Sequence, residues 1–84
     1  MKQEGAPQWE GDLDDDCSAR WFGFLLRAEW MDEGIWWWAV YGKNGEGEVD
    51  SSNNYEVVVS SGEAARRAAE IAARKFVSPD YDII

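Results

Sequence analysis

Three consecutive tryptophans, Trp36–Trp38, lie inside the apolar run Ile35–Tyr41. The run predicts a β-strand over Ile35–Gly42, and successive side chains of a strand point to opposite faces of the sheet. This strand is therefore apolar on both faces. It must be either covered on both sides or able to present aromatic side chains to a partner.

The segments around this strand carry further strand and turn signals. Arg20–Trp30 alternates between apolar and mixed positions, which predicts one half-buried strand. Met31–Gly34 is typical of a turn, and Lys43–Gly45 contains the Asn-Gly pair of a tight hairpin. Glu46–Asp50 would then return as a third strand. Tyr55–Val59 is either a fourth strand or an extended lead into a helix.

A helix is predicted after Ser60 or Ser61, either of which can cap it, and before Pro79. Its buried stripe consists of small residues and one aromatic: Ala65, Ala68, Ala69, Ala72 and Phe76. One helix can cover only one face of a sheet. We predict that it covers the face containing Phe22, Phe24, Leu26, Trp36, Trp38 and Val40, which leaves the Trp37 face as a candidate interface.

The predicted fold class is α+β, with a three- to four-stranded antiparallel sheet and one C-terminal helix packed on one face. Residues 1–18 are predicted to be an acidic N-terminal arm in which glycines, Pro7 and carboxylates block regular structure. Residues 19–84 would form a single domain. An alternative is that Trp9 and Leu13 of the arm fold back over the Trp37 face.

The charge balance restricts the type of partner. Seventeen acidic against eight basic residues give a net charge of −9, which opposes direct binding to nucleic acid or to an anionic membrane and favours a basic protein surface. Residues 1–56 contain thirteen acids and four bases, so they hold the whole excess. Carboxylates spaced along a sheet can imitate a run of phosphates.

Catalytic and metal-binding signals are weak. The chain has no histidine, which removes the commonest general base and metal ligand, and we expect no enzymatic activity, metal or other cofactor. Asp12–Asp16 resembles the start of a calcium loop, but Cys17 occupies the position that needs glycine. Cys17 is the single cysteine, which suggests a reducing, cytoplasmic setting, and the neighbouring aspartates should raise the pKa of its thiol.

The candidate partner-binding residues combine aromatic anchors with carboxylates. Tryptophan and tyrosine are enriched among residues that dominate binding energy, so Trp37 and Tyr41 are the predicted anchors. The predicted acidic contacts are Asp14, Asp15, Asp16, Asp32, Glu33, Glu46, Glu48 and Asp50.

In its length, acidity and arm, hairpin and helix layout, with the segment Ser60-Ser61-Gly62-Glu63-Ala64-Ala65-Arg66-Arg67-Ala68-Ala69, the chain resembles the small acidic anti-CRISPR inhibitors of phages and mobile elements. The resemblance implies a non-catalytic DNA mimic in the host cytoplasm that binds a basic Cas protein surface of a surveillance complex. Three alternatives remain: a homodimeric assembly protein using its aromatic strand, an immunity protein against a nuclease toxin, and a carbohydrate-binding module.

Overall fold

The structure, a computed structural model, describes residues 7–42, 47–55 and 59–77. These described residues contain five strands, a short 3-10 turn and one helix. In chain order these are β1 (Glu10–Asp12), β2 (Asp16–Trp21), β3 (Phe24–Asp32), β4 (Ile35–Tyr41), β5 (Glu48–Ser51), the 3-10 turn Ser52–Asn54 and α1 (Gly62–Arg74).

The strands form one antiparallel meander in the order β1-β2-β3-β4-β5. The helix crosses one face and packs mainly on β3 and β4. The α+β class with an antiparallel sheet and a helix on one face is thus confirmed. The predicted number of strands was too low, because three to four were expected and five are present.

The first missed feature is a hairpin within Arg20–Trp30, which was wrongly predicted to be one strand. The chain reverses at Phe22 and Gly23, whose φ angles are 52° and 87°. Positive φ at both central residues suits the twist of a tight hairpin, but it is unusual for a bulky residue. Burial offsets this strain, because the Phe22 ring is buried against Trp21 with 4.9 Å between ring centroids.

The second missed feature lies in the predicted acidic arm. Residues 10–18 do not lack regular structure, because they contain β1 and the first half of β2. Gly11 had been taken as a breaker, yet it pairs with Cys17, and a Cβ there would lie 2.8 Å from the Asp16 carbonyl oxygen. The absence of a side chain therefore allows the two strands to approach. Residues 1–6 lie outside the described residues.

The strand predicted around the three tryptophans and the strand that returns beside it are both present. Strand β4 covers most of the predicted Ile35–Gly42, and the turn before it contains Gly34 with a φ of 72°. The chain returns antiparallel as β5, and Gly42 N–H donates to the Gly47 carbonyl oxygen. The predicted Asn-Gly turn lies outside the described residues, as does most of Tyr55–Val59; Val59 itself forms an isolated bridge with Trp36.

Helix α1 begins as predicted, because the Ser61 hydroxyl accepts a hydrogen bond from the Ala64 N–H. The alanines on one side are buried: Ala65, Ala69, Ala72 and Ala73. Alanine lets the helix backbone come close to a sheet that is already filled with large side chains. Phe76 departs from the prediction, because it follows the last helical turn and stays 45% exposed.

The helix covers the predicted face. The six residues named for that face are all buried in one cluster with the alanines of α1. The N-terminal segment also lies on the helix side, since the Trp9 indole N–H donates to Glu70 and Arg66 donates to the Leu13 carbonyl oxygen. The alternative in which Trp9 and Leu13 cover the Trp37 face is therefore wrong.

Candidate protein-interaction site

Two turns meet at one end of the sheet. The register places Asp16, the first residue of β2, opposite Glu29 near the end of β3. One step further, the Trp30 N–H donates to the Asp15 carbonyl oxygen at 2.6 Å. The β1–β2 turn and the β3–β4 turn are therefore neighbours. We call this region, Leu13–Asp16 together with Trp30–Ile35, the acidic end.

The β3–β4 hairpin extends beyond its neighbours at the acidic end. The last β2 pairing is with Glu29, and on the other side Val59 bridges Trp36 beyond the end of β5. Strands β3 and β4 continue to pair as far as Asp32 with Ile35. Met31–Ile35, which we call the hairpin tip, thus has no ladder partner outside its own hairpin among the described residues.

Large apolar side chains are exposed at the acidic end. Leu13, Trp30 and Ile35 are each 45% exposed, and Met31 is 54% exposed. Exposed apolar side chains at neighbouring positions make this end a candidate for contact with a partner. Alternation along β3 places Trp30 on the same face as Phe24, and its cross-strand partner Trp36 is buried. The sequence signal for its exposure was the turn predicted over Met31–Gly34, since residues close to a turn have fewer neighbours.

Five of the eight predicted acidic contacts lie at the acidic end. Asp16 forms an ion pair with Arg27 at 3.1 Å. The other four are exposed and form no ion pair within the described parts of the chain: Asp14, Asp15, Asp32 and Glu33. Side-chain oxygens hold the two turns in shape, because Asp12 accepts from the Asp14 N–H and Asp32 accepts from the Glu33 N–H.

The predicted aromatic anchors lie elsewhere, on the sheet face opposite the helix. Trp37 and Tyr41 are half-buried there, and the register places Trp37 beside Glu29 and Tyr41 beside Leu25. The Arg27 guanidinium lies 5.9 Å from the centroid of the Trp37 ring. This face is therefore partly neutralised by its own arginine, and its aromatics are less accessible than those of the acidic end.

Asp50 was wrongly predicted to be an exposed contact for a partner. It is only 6% exposed, and its carboxylate accepts from the Ser51 N–H, the Asn54 amide and the Tyr55 hydroxyl. Burial alone would raise the pKa of Asp50, but the hydrogen bonds from Asn54, Tyr55 and Ser51 outweigh it and lower that pKa. The charge is used inside the molecule, where it fixes the turn after β5, and is not offered to a partner.

The two remaining acidic predictions do not join the acidic end. Glu48 is exposed at the opposite end of the sheet, beside Tyr41. Glu46 lies outside the described residues.

The charges of the molecule are divided between its two layers. The described residues up to Tyr55 contain ten acids and two arginines, whereas residues 59–77 contain two acids and four bases. Several helix cations have contacts within the molecule: Arg66 donates to the Leu13 carbonyl oxygen, Arg67 pairs with Glu63, and Arg74 lies over the Trp21 ring. The negative field is therefore strongest on the sheet and its turns.

The acids and the cysteine of the described part of the chain form no metal site. No three acidic or cysteine side chains there come close enough together to hold a metal ion. Cys17 is buried, and burial is the main cause that raises the pKa of its thiol, with Asp16 and Asp12 adding to it against the opposing effect of Arg66. Its S–H donates to the Ala28 carbonyl oxygen.

Comparisons with known proteins identified no relative. No protein-family model matches the chain, and neither a curated protein nor a solved structure matches it. Among the described residues, α1 is too short and too polar to cross a membrane.

Proposed function

We propose that this protein is a non-catalytic inhibitor that binds a basic, nucleic-acid-binding protein surface through its acidic end. One observation carries the proposal. The two turns bring exposed apolar side chains and carboxylates without ion-pair partners to the same place. A binding surface needs both, because apolar anchors supply affinity while complementary charge supplies attraction and selectivity.

The charge of the acidic end defines the chemistry of the partner. Asp14, Asp15, Asp32 and Glu33 can take the positions that phosphates occupy along a groove lined with lysine and arginine. The resemblance to anti-CRISPR inhibitors implies a specific partner of this kind, a Cas protein within a CRISPR surveillance complex. On this proposal the protein competes with target DNA for that groove.

The shape of the acidic end suggests that the partner surface is a cleft. The hairpin tip projects past β2 and β5, and Trp30 lies at its base. A projecting hairpin with Met31 and Ile35 exposed fits a cleft better than a flat surface. Trp30 and Met31 replace Trp37 and Tyr41 as the main proposed anchors, since they are more exposed.

The direct test is competition between the full-length protein and fluorescent target DNA for a purified type I CRISPR surveillance complex, measured at several salt concentrations. We expect displacement of the DNA that weakens as salt rises, because the attraction is electrostatic. Absence of displacement, or displacement independent of salt, contradicts the proposal.

Matched variants locate the contact. Trp30→Ala should weaken binding by roughly 30-fold, as expected for a central anchor, whereas Phe76→Ala removes an equally exposed aromatic from the other end and should change it little. Glu33→Gln should weaken binding about threefold, and Glu63→Gln on the helix should not. If Trp30→Ala and Phe76→Ala weakened binding equally, the contact could not be assigned to the acidic end.

A further inference from the structure

An apolar groove lies between α1 and the turn after β5, on the side of the molecule away from β1. Its volume is about 250 Å³, and it is lined mainly by Trp38, Tyr55, Val59, Ala68, Ile71 and Lys75. Ile71 at its rim is 56% exposed and Tyr55 is 46% exposed. Pockets for drug-sized ligands are larger, roughly 300–1,000 Å³, so this groove suits one or two protein side chains.

The charge at the groove restricts what can occupy it. Lys75 lines the groove, and Arg67, whose guanidinium forms an exposed pair with Glu63 at 3.6 Å, lies one helical turn before Ile71. Residues 59–77 carry more bases than acids, in contrast to the sheet and its turns. A complementary occupant is therefore an apolar side chain flanked by carboxylates.

The hairpin tip of the same protein has this chemistry. Met31 and Ile35 are exposed and apolar, and they enclose Asp32 and Glu33. In this structure the tip does not fill the groove of its own molecule, because the residues that line the groove include none of Met31–Ile35. Contact between the two requires a second copy.

We propose that the hairpin tip of one molecule docks into the groove of another. Ile35 and Met31 occupy the groove, and Asp32 and Glu33 face Lys75 and Arg67. The tip and the groove are different surfaces, so the contact is head-to-tail and can add further copies. The net charge of −9 opposes close approach of copies, which makes the association weak and concentration-dependent. The hairpin tip is also part of the acidic end, so docking into a second copy and binding to the proposed partner would compete for it.

The first experiment is sedimentation velocity on the full chain at concentrations up to about 1 mM, where an association of millimolar strength is detectable. We expect reversible association. A tip variant, Met31→Ser with Ile35→Thr, and a groove variant, Ile71→Glu, should each weaken association by about tenfold or more. Val49→Thr is the matched control, because it replaces an exposed methyl group on β5 with a hydroxyl and should leave association unchanged.

The decisive experiment mixes the two variants in equal amounts. The tip variant keeps an intact groove and the groove variant keeps an intact tip, so the mixture should form a one-to-one heterodimer that does not grow. Circular dichroism and urea unfolding of each variant confirm that both are folded. A wild-type chain that stays monomeric, a tip variant that associates like wild type, or a mixture that forms no heterodimer would each overturn the proposal.

Discussion

The helix-covered face of the sheet and the acidic end contain similar side chains, but these are buried on the covered face and exposed at the acidic end. Trp36 and Trp30 are cross-strand partners in the same hairpin, yet Trp36 is 9% exposed and Trp30 is 45% exposed. Trp36 lies beneath the start of α1, where a Cβ added at Gly62 would come within 2.9 Å of the indole. The comparison shows that, among aromatic side chains on this face of the sheet, cover by the helix decides which ones form the core.

Acidic side chains show the same contrast. Asp50 is buried and its oxygens accept three hydrogen bonds, whereas Asp14 is exposed and its carboxylate has no ion-pair partner in the described residues. An acid near several donors stabilises the fold, and an acid without them remains available to another molecule.

The largest expected effect on stability is the difference between removing a buried tryptophan and removing an exposed one. Trp38→Ala should lower the free energy of unfolding by about 3–5 kcal/mol, because it removes a buried ring and leaves a cavity. Trp30→Ala should lower it by no more than about 1 kcal/mol, since much of that ring is already in water. Urea unfolding of both variants measures the difference. Similar losses would mean that Trp30 belongs to the core.

An intermediate effect on stability is expected from removing the buried carboxylate of Asp50 in comparison with the exposed one of Asp14. Asp50→Ala should lower the free energy of unfolding by about 2 kcal/mol, because the buried Ser51 N–H and the donors of Asn54 and Tyr55 lose their acceptor. Asp14→Ala is the control and should change it by less than about 0.5 kcal/mol. Both changes are checked by urea unfolding at neutral pH.

The contribution of Asp50 should also depend on pH. Its folded-state pKa is lowered, so its charge adds stability above the unfolded-state value of about 3.9, and this part is lost as pH falls through the folded-state pKa. The stability difference between wild type and Asp50→Ala should therefore shrink below about pH 4. A difference that grows in acid would contradict the assigned hydrogen bonds.

The smallest effect has the opposite sign. Asp32→Asn combined with Glu33→Gln should raise the free energy of unfolding by a few tenths of a kcal/mol, roughly, because neighbouring like charges repel. Glu63→Gln should instead lower it by about 0.3 kcal/mol through loss of the exposed pair with Arg67. Thermal melts at low and high salt test both signs. Stabilisation at the acidic end would indicate that its charges are kept for binding despite their cost to the fold.

Some of this architecture could be predicted from local sequence. The Ser61 cap and the alanine spacing predicted α1, and alternation in β4 predicted which side chains the helix covers. These features depend on residues near one another in the chain, so propensity and periodicity report them directly. The acidity and the sheet-side bias of the charge were likewise evident from the sequence.

The remaining features required the tertiary structure. The turn at Phe22 is not a usual hairpin signal, because a phenylalanine at positive φ is stable only where its ring can be buried. That unpredicted hairpin brings β2, and with it the β1–β2 turn, alongside β3, which assembles the acidic end from segments about fifteen residues apart. Burial of Asp50 depends in the same way on donors arranged by the turn after β5. The sequence alone determined the helix, the covered face and the charge, while long-range strand pairing decided which acids and aromatics meet at the surface.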